Sequence, residues 1–290
     1  MDNLQTAIQV EVVRCNLCGA DDFRVMYHFD QHTVLSPETA SLDVSTLDIF
    51  PSLVKCQKCG LVYVNPRWIF PDGTMPYSQA AEQAYFEITH PARIVADDHL
   101  VKLAQRSSPG QPLRALDIGC GDGLLLKRCQ LAGISCDGFE VSPALLQTLQ
   151  SKFGPQRILS GDLGAIPAGS YDCAFLINVI EHLPNPHQTL EQIFNLLKPG
   201  GGVFIHAPNL GGLPARLTAR RWHQIEPLGH LYYFTRTTLA ELLQKVGFAA
   251  GGDFYMKSSS PVKAIVQLVF NRLGWHMDNG LGLIARKPAG

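Results

Sequence analysis

The sequence predicts an α/β protein in which a parallel-sheet domain follows a small, mostly β module, and three observations carry that expectation. The stretch Leu116 to Gly123, LDIGCGDG, reads as strand, tight turn and helix start. Apolar residues run from Leu113 to Ile118 into three glycines at alternate positions, and the helix formers Leu124 to Lys127 follow. Downstream, short apolar strands alternate with helical patterns as far as Val246. Upstream, two C-x-x-C pairs, Cys15 with Cys18 and Cys56 with Cys59, punctuate a segment too small to bury a core of its own.

Residues 1–75 are therefore expected to be a zinc-ribbon module. Each cysteine pair ends in a glycine, Gly19 or Gly60, which frees the chain to fold back over the sulfurs. Two such knuckles supply the four thiolates Cys15, Cys18, Cys56 and Cys59 of a closed tetrahedral Zn2+ site with a structural role. The long stretch between Cys18 and Cys56 should carry strands and a flap that includes His32 and Pro37 to Ser41. Leu61 to Arg67 alternates and stops at a proline, as a strand leaving the ribbon does. The other four of the eight cysteines are scattered and read as reduced thiols filling space. Residues 76–110 form connecting helices, and residues 111–290 the main domain.

Charge and hydropathy narrow the partners. The 290 residues hold 24 basic against 25 acidic side chains, a formal charge of −1, which offers no long-range attraction to nucleic acid or anionic lipid. No segment approaches the roughly 18 apolar residues of a membrane span, and the N-terminus lacks a signal-peptide pattern. A cytoplasmic protein with no nucleic-acid or membrane partner is expected, and homo-oligomerisation stays open.

The glycine loop selects a ligand. Gly119, Gly121 and Gly123 let a small molecule approach the backbone, and the helix beyond presents free N–H groups. A dinucleotide fingerprint would space its third glycine one residue later and would not tolerate Asp122 against a pyrophosphate. Asp117, at the last turn of the strand, adds a second acid. Two carboxylates suit a ligand bearing an ammonium and a sulfonium, as S-adenosylmethionine does.

The run Asp117-x-Gly119-x-Gly121-x-Gly123 resembles motif I of the class I S-adenosylmethionine-dependent methyltransferases. That resemblance implies a Rossmann-like seven-stranded sheet and gives roles to later residues. Glu140 closes the second strand 17 positions past Gly123, close to where an acid holds both ribose hydroxyls. Asp162 and Leu163, after a short strand at Arg157 to Gly161, would take the adenine amine and a ring nitrogen. Tyr77 and Tyr85 lie where related enzymes lay an aromatic over the cofactor.

The fourth strand, Tyr171 to Asn178, is almost wholly apolar and delivers Asn178, Glu181 and His182 to the same rim. This segment resembles the E-x-x-E-H stretch of ubiquinone-biosynthesis-type enzymes, with Asn178 in place of the first acid, so Asn178 is placed with the cofactor and no catalytic metal is expected. His182 is the first-choice proton acceptor, as an imidazole titrating near neutrality, and His230 the second. KPGGG at Lys198 to Gly202 reads as the turn before the fifth strand, Gly202 to His206. Residues 209–233 break the alternation with glycines, aromatics and the basic cluster Arg216, Arg220 and Arg221, which suits an acceptor lid. Phe254 to Lys257 and Leu281 to Arg286 fit a closing antiparallel hairpin, with a helix over Val262 to Leu273 between them.

The cysteine knuckles, His230 to Leu239 and the loop together resemble bacterial zinc-ribbon methyltransferases acting on small molecules. The expected activity is methyl transfer to a hydroxyl oxygen of a sugar, lipid-linked or secondary-metabolite acceptor. Sugar C-methylation, modification of RNA or protein through the ribbon, and a non-enzymatic cofactor-binding scaffold are the alternatives.

Overall fold

The computed structural model describes residues 8–30, 48–70, 91–107, 112–256 and 279–289. Tyr77, Tyr85, the flap residues His32 and Pro37 to Ser41, and the helix expected over Val262 to Leu273 lie outside the described residues.

Strands β6 (Arg114–Ile118), β7 (Ser135–Phe139), β8 (Ile158–Leu159), β9 (Tyr171–Ile177), β10 (Leu197–Pro208), β12 (Ala249–Phe254) and β13 (Gly280–Arg286) form one sheet in the order β12-β13-β10-β9-β6-β7-β8. The pairs from β10 to β8 are parallel, whereas β13 runs antiparallel to β10 and β12 antiparallel to β13. The register of β12 slips between Ala250 and Gly252.

Because strand side chains alternate between faces, each strand feeds two cores. On one face, Ala115, Cys173, Phe175 and Phe204 meet helices α1 (Pro91–Ser107), α2 (Leu124–Leu131) and α3 (Pro143–Phe153). On the other, Leu116, Ile118, Leu176, Val203 and Ile205 meet α4 (Pro186–Leu196) and α6 (Arg236–Val246). Helix ends follow the local chemistry: Pro143 and Pro186 open α3 and α4, Thr235 and Thr238 form a capping box on α6, and Gly247 at φ 108° ends it.

Four differences from the sequence expectations have local causes. Strand β10 starts at Leu197, because the KPGGG run stays extended through a register shift against β9. The penultimate strand is Ala249–Phe254, ending where it was expected to start, since the C-cap at Gly247 turns the chain directly into it. Strand β8 keeps only two residues, because Pro155–Arg157 forms a 3-10 turn. The expected single strand at Leu61 to Arg67 is two, β4 (Val62–Val64) and β5 (Arg67–Ile69), parted by a cis Asn65–Pro66 bond.

The N-terminal segment contributes β1 (Gln9–Glu11), paired with β5, and β2 (Phe23–His28) and β3 (Ser52–Cys56), of which β3 pairs with both β2 and β4. A strand from the main domain, β11 (Tyr232–Tyr233), completes that sheet in the order β11-β4-β3-β2. Burial follows the pairing. Leu17, Val54, Leu61 and Tyr63 share a core with α4 and α6. Leu53, Val62, Val64 and Trp68 pack with Ala215 of α5 (Leu213–Thr218) and with Trp222, Leu228 and Tyr233. Lys245 donates to Leu17 O (2.6 Å) and Arg67 to Pro184 O (2.9 Å), adding charge-assisted bonds across the seam. No helix among the described residues is long and apolar enough to cross a membrane.

Candidate active site

At the C-terminal end of β6 the chain turns through Gly119, Gly121 and Gly123, all at positive φ (69°, 55° and 75°). Space as well as conformation demands glycine: a Cβ at Gly119 would come 2.6 Å from the Val179 side chain, and one at Gly123 would collide with Phe153. The post-β9 segment therefore abuts the loop directly.

Glu140 is tied to that loop. Its Oε2 accepts from Gly121 N (3.0 Å), and its Oε1 from Val141 N and Ser142 N (both 2.9 Å). Three backbone donors fix a carboxylate at the end of β7, beside the glycines, with lone pairs left for a diol. Asp117 is buried and accepts no hydrogen bond from any described residue; burial raises its pKa well above the carboxylate range, and Asp97 and Glu140 add repulsion. Asp122 is held by Arg93 of α1 through two bonds (2.9 and 3.0 Å) and caps Leu124 N, so its charge is already matched. Beyond β8, exposed Asp162 accepts from Gly164 N (2.8 Å) and Gln192, next to buried Leu163.

Asn178 leaves β9 in the left-handed region (φ 54°), bonded twice to His206 of β10. Its N–H donates to His206 O, and its Oδ1 accepts from His206 Nδ1, each at 2.8 Å. Burial pushes the His206 pKa down to about 4.

The next turn brings His182 and His230 together, with ring centroids 4.8 Å apart at 65°. His182 Nδ1–H donates to Gly229 O and His230 Nδ1–H to Gln224 O, both at 2.8 Å. A carbonyl only accepts, so each ring keeps a bare Nε2. The sequence expectation of a near-neutral pKa for His182 is not what the site provides: burial, then neighbouring His230, lowers it to about 4 while 32% of the side chain stays open. Burial also lowers His230. Glu181 is 1% exposed, with Oε1 3.9 Å from His182 Nε2 and Oε2 lacking any hydrogen-bond partner, and burial raises its pKa to about 8. Donor atoms of Glu181, His182 and His230 lie within 4.8 Å of one another, a set able to hold a cation.

A family described as the methyltransferase domain matches residues 89–250, more than half of the chain. The chain belongs to this methyltransferase domain family. Its seven-stranded sheet is the class I S-adenosylmethionine-dependent fold. One structure similar to this methyltransferase is the complex of the Haloferax volcanii Trm112 methyltransferase activator with a methyltransferase, at 18% identity and TM-score 0.52 over 72% of this chain and 97% of the matched one. Another is the CurJ carbon methyltransferase, at 16% identity and TM-score 0.50 over 76% and 60%. These likenesses speak to fold alone. Among curated sequences, ubiquinone biosynthesis O-methyltransferase of Dechloromonas aromatica is 31% identical over 41% of this chain and 52% of its own length. That of Xanthomonas axonopodis pv. citri is 36% identical over 33% and 43%. The methyltransferase thus spans about half the length of the curated relatives it matches.

In the N-terminal module, Cys15, Cys18, Cys56 and Cys59 place their four sulfurs within 4.8 Å of one another, with Cys15–Cys59 at 3.4 Å and Cys18–Cys56 at 3.5 Å. Tetrahedral Zn–S bonds of about 2.3 Å separate sulfurs by about 3.8 Å, so the set fits zinc. Gly19 and Gly60 turn each knuckle at φ 74° and 78°, donating to Cys15 O and Cys56 O.

Arg93, Asp97 and His206 were not foreseen as site residues. Arg93 and Asp97 lie one helical turn apart on α1, where charged residues read as a solvated face, and His206 reads only as a strand residue. The basic cluster at residues 216–221 is turned to other use in part: Arg220 donates to His28 O (3.0 Å) and lies over the Phe29 ring.

Proposed function

We propose that this methyltransferase moves the methyl group of S-adenosylmethionine to a hydroxyl oxygen of a small sugar, lipid-linked or secondary-metabolite acceptor. The observation that carries the reading is the pair of unprotonated Nε2 atoms on His182, in the segment whose Val179 adjoins the glycine loop, and on His230, whose ring packs against it. The activity for which the curated relatives are named, O-methylation, supports oxygen as the acceptor atom.

Bound S-adenosylmethionine supplies an electrophilic methyl on a sulfonium. Glu140 would receive the ribose hydroxyls, Asp162 and Leu163 the adenine, and Asp117 the cationic methionine end, with Asn178 shaping the rim of the site. Residues 209–233, held on the N-terminal sheet by Trp222 and Leu228, serve as the lid that brings His230 over the acceptor. His182 Nε2 takes the hydroxyl proton as the acceptor oxygen bonds to the methyl carbon and the carbon–sulfur bond breaks. A pKa near 4 makes His182 a weak base that is neutral throughout the physiological range, so alignment and exclusion of water carry much of the rate. Zn2+ on the four cysteines holds the module against α4 and α6 and takes no part in the chemistry.

Isothermal titration with S-adenosylmethionine and S-adenosylhomocysteine tests the donor site. Micromolar binding, lost in Asp117→Ala and in Glu140→Ala, is expected, followed by acceptor-dependent release of S-adenosylhomocysteine in a screen of hydroxylated compounds. A folded, zinc-loaded protein that binds neither nucleoside would overturn the reading.

A further inference from the structure

Strand β10 alternates, so Val203, Ile205 and Ala207 face α4 and α6, whereas Phe204 and His206 face the other side of the sheet. There His206 is held on two sides. Its Nδ1–H donates to Asn178 Oδ1 (2.8 Å), and its ring centroid lies 6.5 Å from that of Phe254 at the end of β12. A neutral imidazole that donates from Nδ1 presents a lone pair at Nε2, and among the described residues no donor meets it. The Nε2 edge points at Gly280, the first residue of β13: a Cβ there would collide with Nε2 and come 2.6 Å from Cε1. Gly280 has no positive φ, so space alone asks for glycine. That space borders a cavity of about 110 Å³ walled by His206, Phe254, Tyr255, Met256, Asn279 and Gly280.

Two runs of contacts tie this cavity to the candidate site. Asn178, bonded to His206, precedes Val179, whose side chain adjoins Gly119 of the glycine loop. Asn279 accepts from Trp222 Nε1 (3.1 Å) and, through its carbonyl, from Asn209 N (2.6 Å), so the segment expected to be a lid is fastened at the cavity wall. The volume is on the scale of the roughly 150 Å³ that admits a benzene ring, which suits one small ring. Phe254, Tyr255 and Met256 offer such a ring aromatic and thioether surface, and His206 Nε2 offers it one hydrogen-bond acceptor. A polyhydroxylated sugar would strand hydroxyls against those side chains, whereas a flat ring with one hydroxyl matches both. Resting on the acceptor reading above, we propose that this cavity receives the acceptor as a single flat ring, whose hydroxyl donates to His206 Nε2. His206 is then a positioning residue: Asn178 fixes its tautomer, Gly280 leaves room for its edge, and no bond is made or broken at it.

The experiment titrates the full chain, isotope-labelled at the histidine nitrogens, with phenol and with anisole, the methyl ether that keeps the ring and lacks the donor. Nuclear magnetic resonance follows the Nε2 signals, and His206→Gln identifies the one that belongs to His206. Phenol should move the His206 Nε2 signal upfield, while anisole leaves it in place and binds about fivefold more weakly. Gly280→Ala, whose added methyl occupies the space beside Nε2, should weaken phenol by at least as much, and its melting curve verifies the fold. Equal binding of the two rings, phenol binding untouched by Gly280→Ala, or a shift confined to His182 and His230 overturns the role of His206. Titration with S-adenosylhomocysteine separates the two readings. Protein that binds this nucleoside and ignores phenol refutes the ring site alone, whereas protein that binds phenol at His206 and neither nucleoside refutes the donor-site reading alone.

Discussion

The cofactor rim and the histidine pair lie beside each other yet are built in different ways. Most of the rim comes from one continuous stretch, 114–163, in which Glu140 is fastened by backbone amides of the glycine loop and of its own turn. The pair joins residues far apart in the chain, and what holds it passes through the N-terminal module. Leu231 N donates to Glu181 O (2.8 Å), Val64 N to Leu231 O (2.9 Å), and β11 pairs with β4. The difference teaches that the rim proposed to bind the donor is fixed locally within the sheet, whereas the histidine pair depends on the segment that carries the four cysteines.

The strongest way to break that comparison is to remove one of the four cysteines proposed to hold zinc. Cys56→Ser should lose folding free energy on the order of 10 kcal/mol, because the thiolates share a core with Leu190 and Leu242. Calorimetric melting would show collapse of the main transition; a transition within a few degrees of wild type would show the two regions to be independent. Next in size, His182→Gln should lower kcat by about 100-fold and leave S-adenosylhomocysteine affinity within about twofold. The wild-type rate should show no His182 inflection near 6.5, since the neutral form persists down to about pH 4; an acid limb near 6.5 that disappears in the variant would contradict the buried environment.

Smaller again is Gly123→Ala, at about 3 kcal/mol, from the forbidden φ and the collision with Phe153. Chemical denaturation would measure it, and nuclear magnetic resonance should find the His182 and His230 signals unmoved in the folded fraction. The smallest effect concerns Glu181. Its folded pKa, about 8, exceeds the unfolded value, so the stability it contributes is complete below about pH 4.5 and is lost as pH rises through 8. Glu181→Gln cannot ionise. Its melting temperature should match wild type near pH 5 and exceed it by a few degrees at pH 9, a gap that loaded cation or an altered pocket would erase.

The same contrast explains how much was legible. Asp117, the three glycines and Glu140 form a readable pattern because strand, turn and helix fix their spacing within a few dozen residues. The cysteine knuckles are readable for the same reason. Their convergence across the Cys18–Cys56 interval is a fact of folding, carried by pairing of β2, β3 and β4. His182 and His230 are visible as residue types, but their edge-to-face contact and depressed pKa values arise from burial by a strand lent to another sheet. Asp97 was hidden by a plainer cause: an acid on an otherwise ordinary helix is usually solvated, and only its burial in the folded chain reveals its setting.

The register slip in β12 bears on behaviour in concentrated solution. Among the described residues β12 and β8 are the outer strands of the large sheet, and an unpaired outer strand is a template for another chain. Strand β8 offers only two residues. In β12 the irregular Gly251–Gly252 step interrupts the flat ladder, and Asp253, ion-paired to Arg236 at 2.7 Å, sets charge beside it. Straightening that step, by deleting Gly251 and replacing Asp253 with valine, would convert a guarded margin into a sticky one and favour self-association over a lone folded chain.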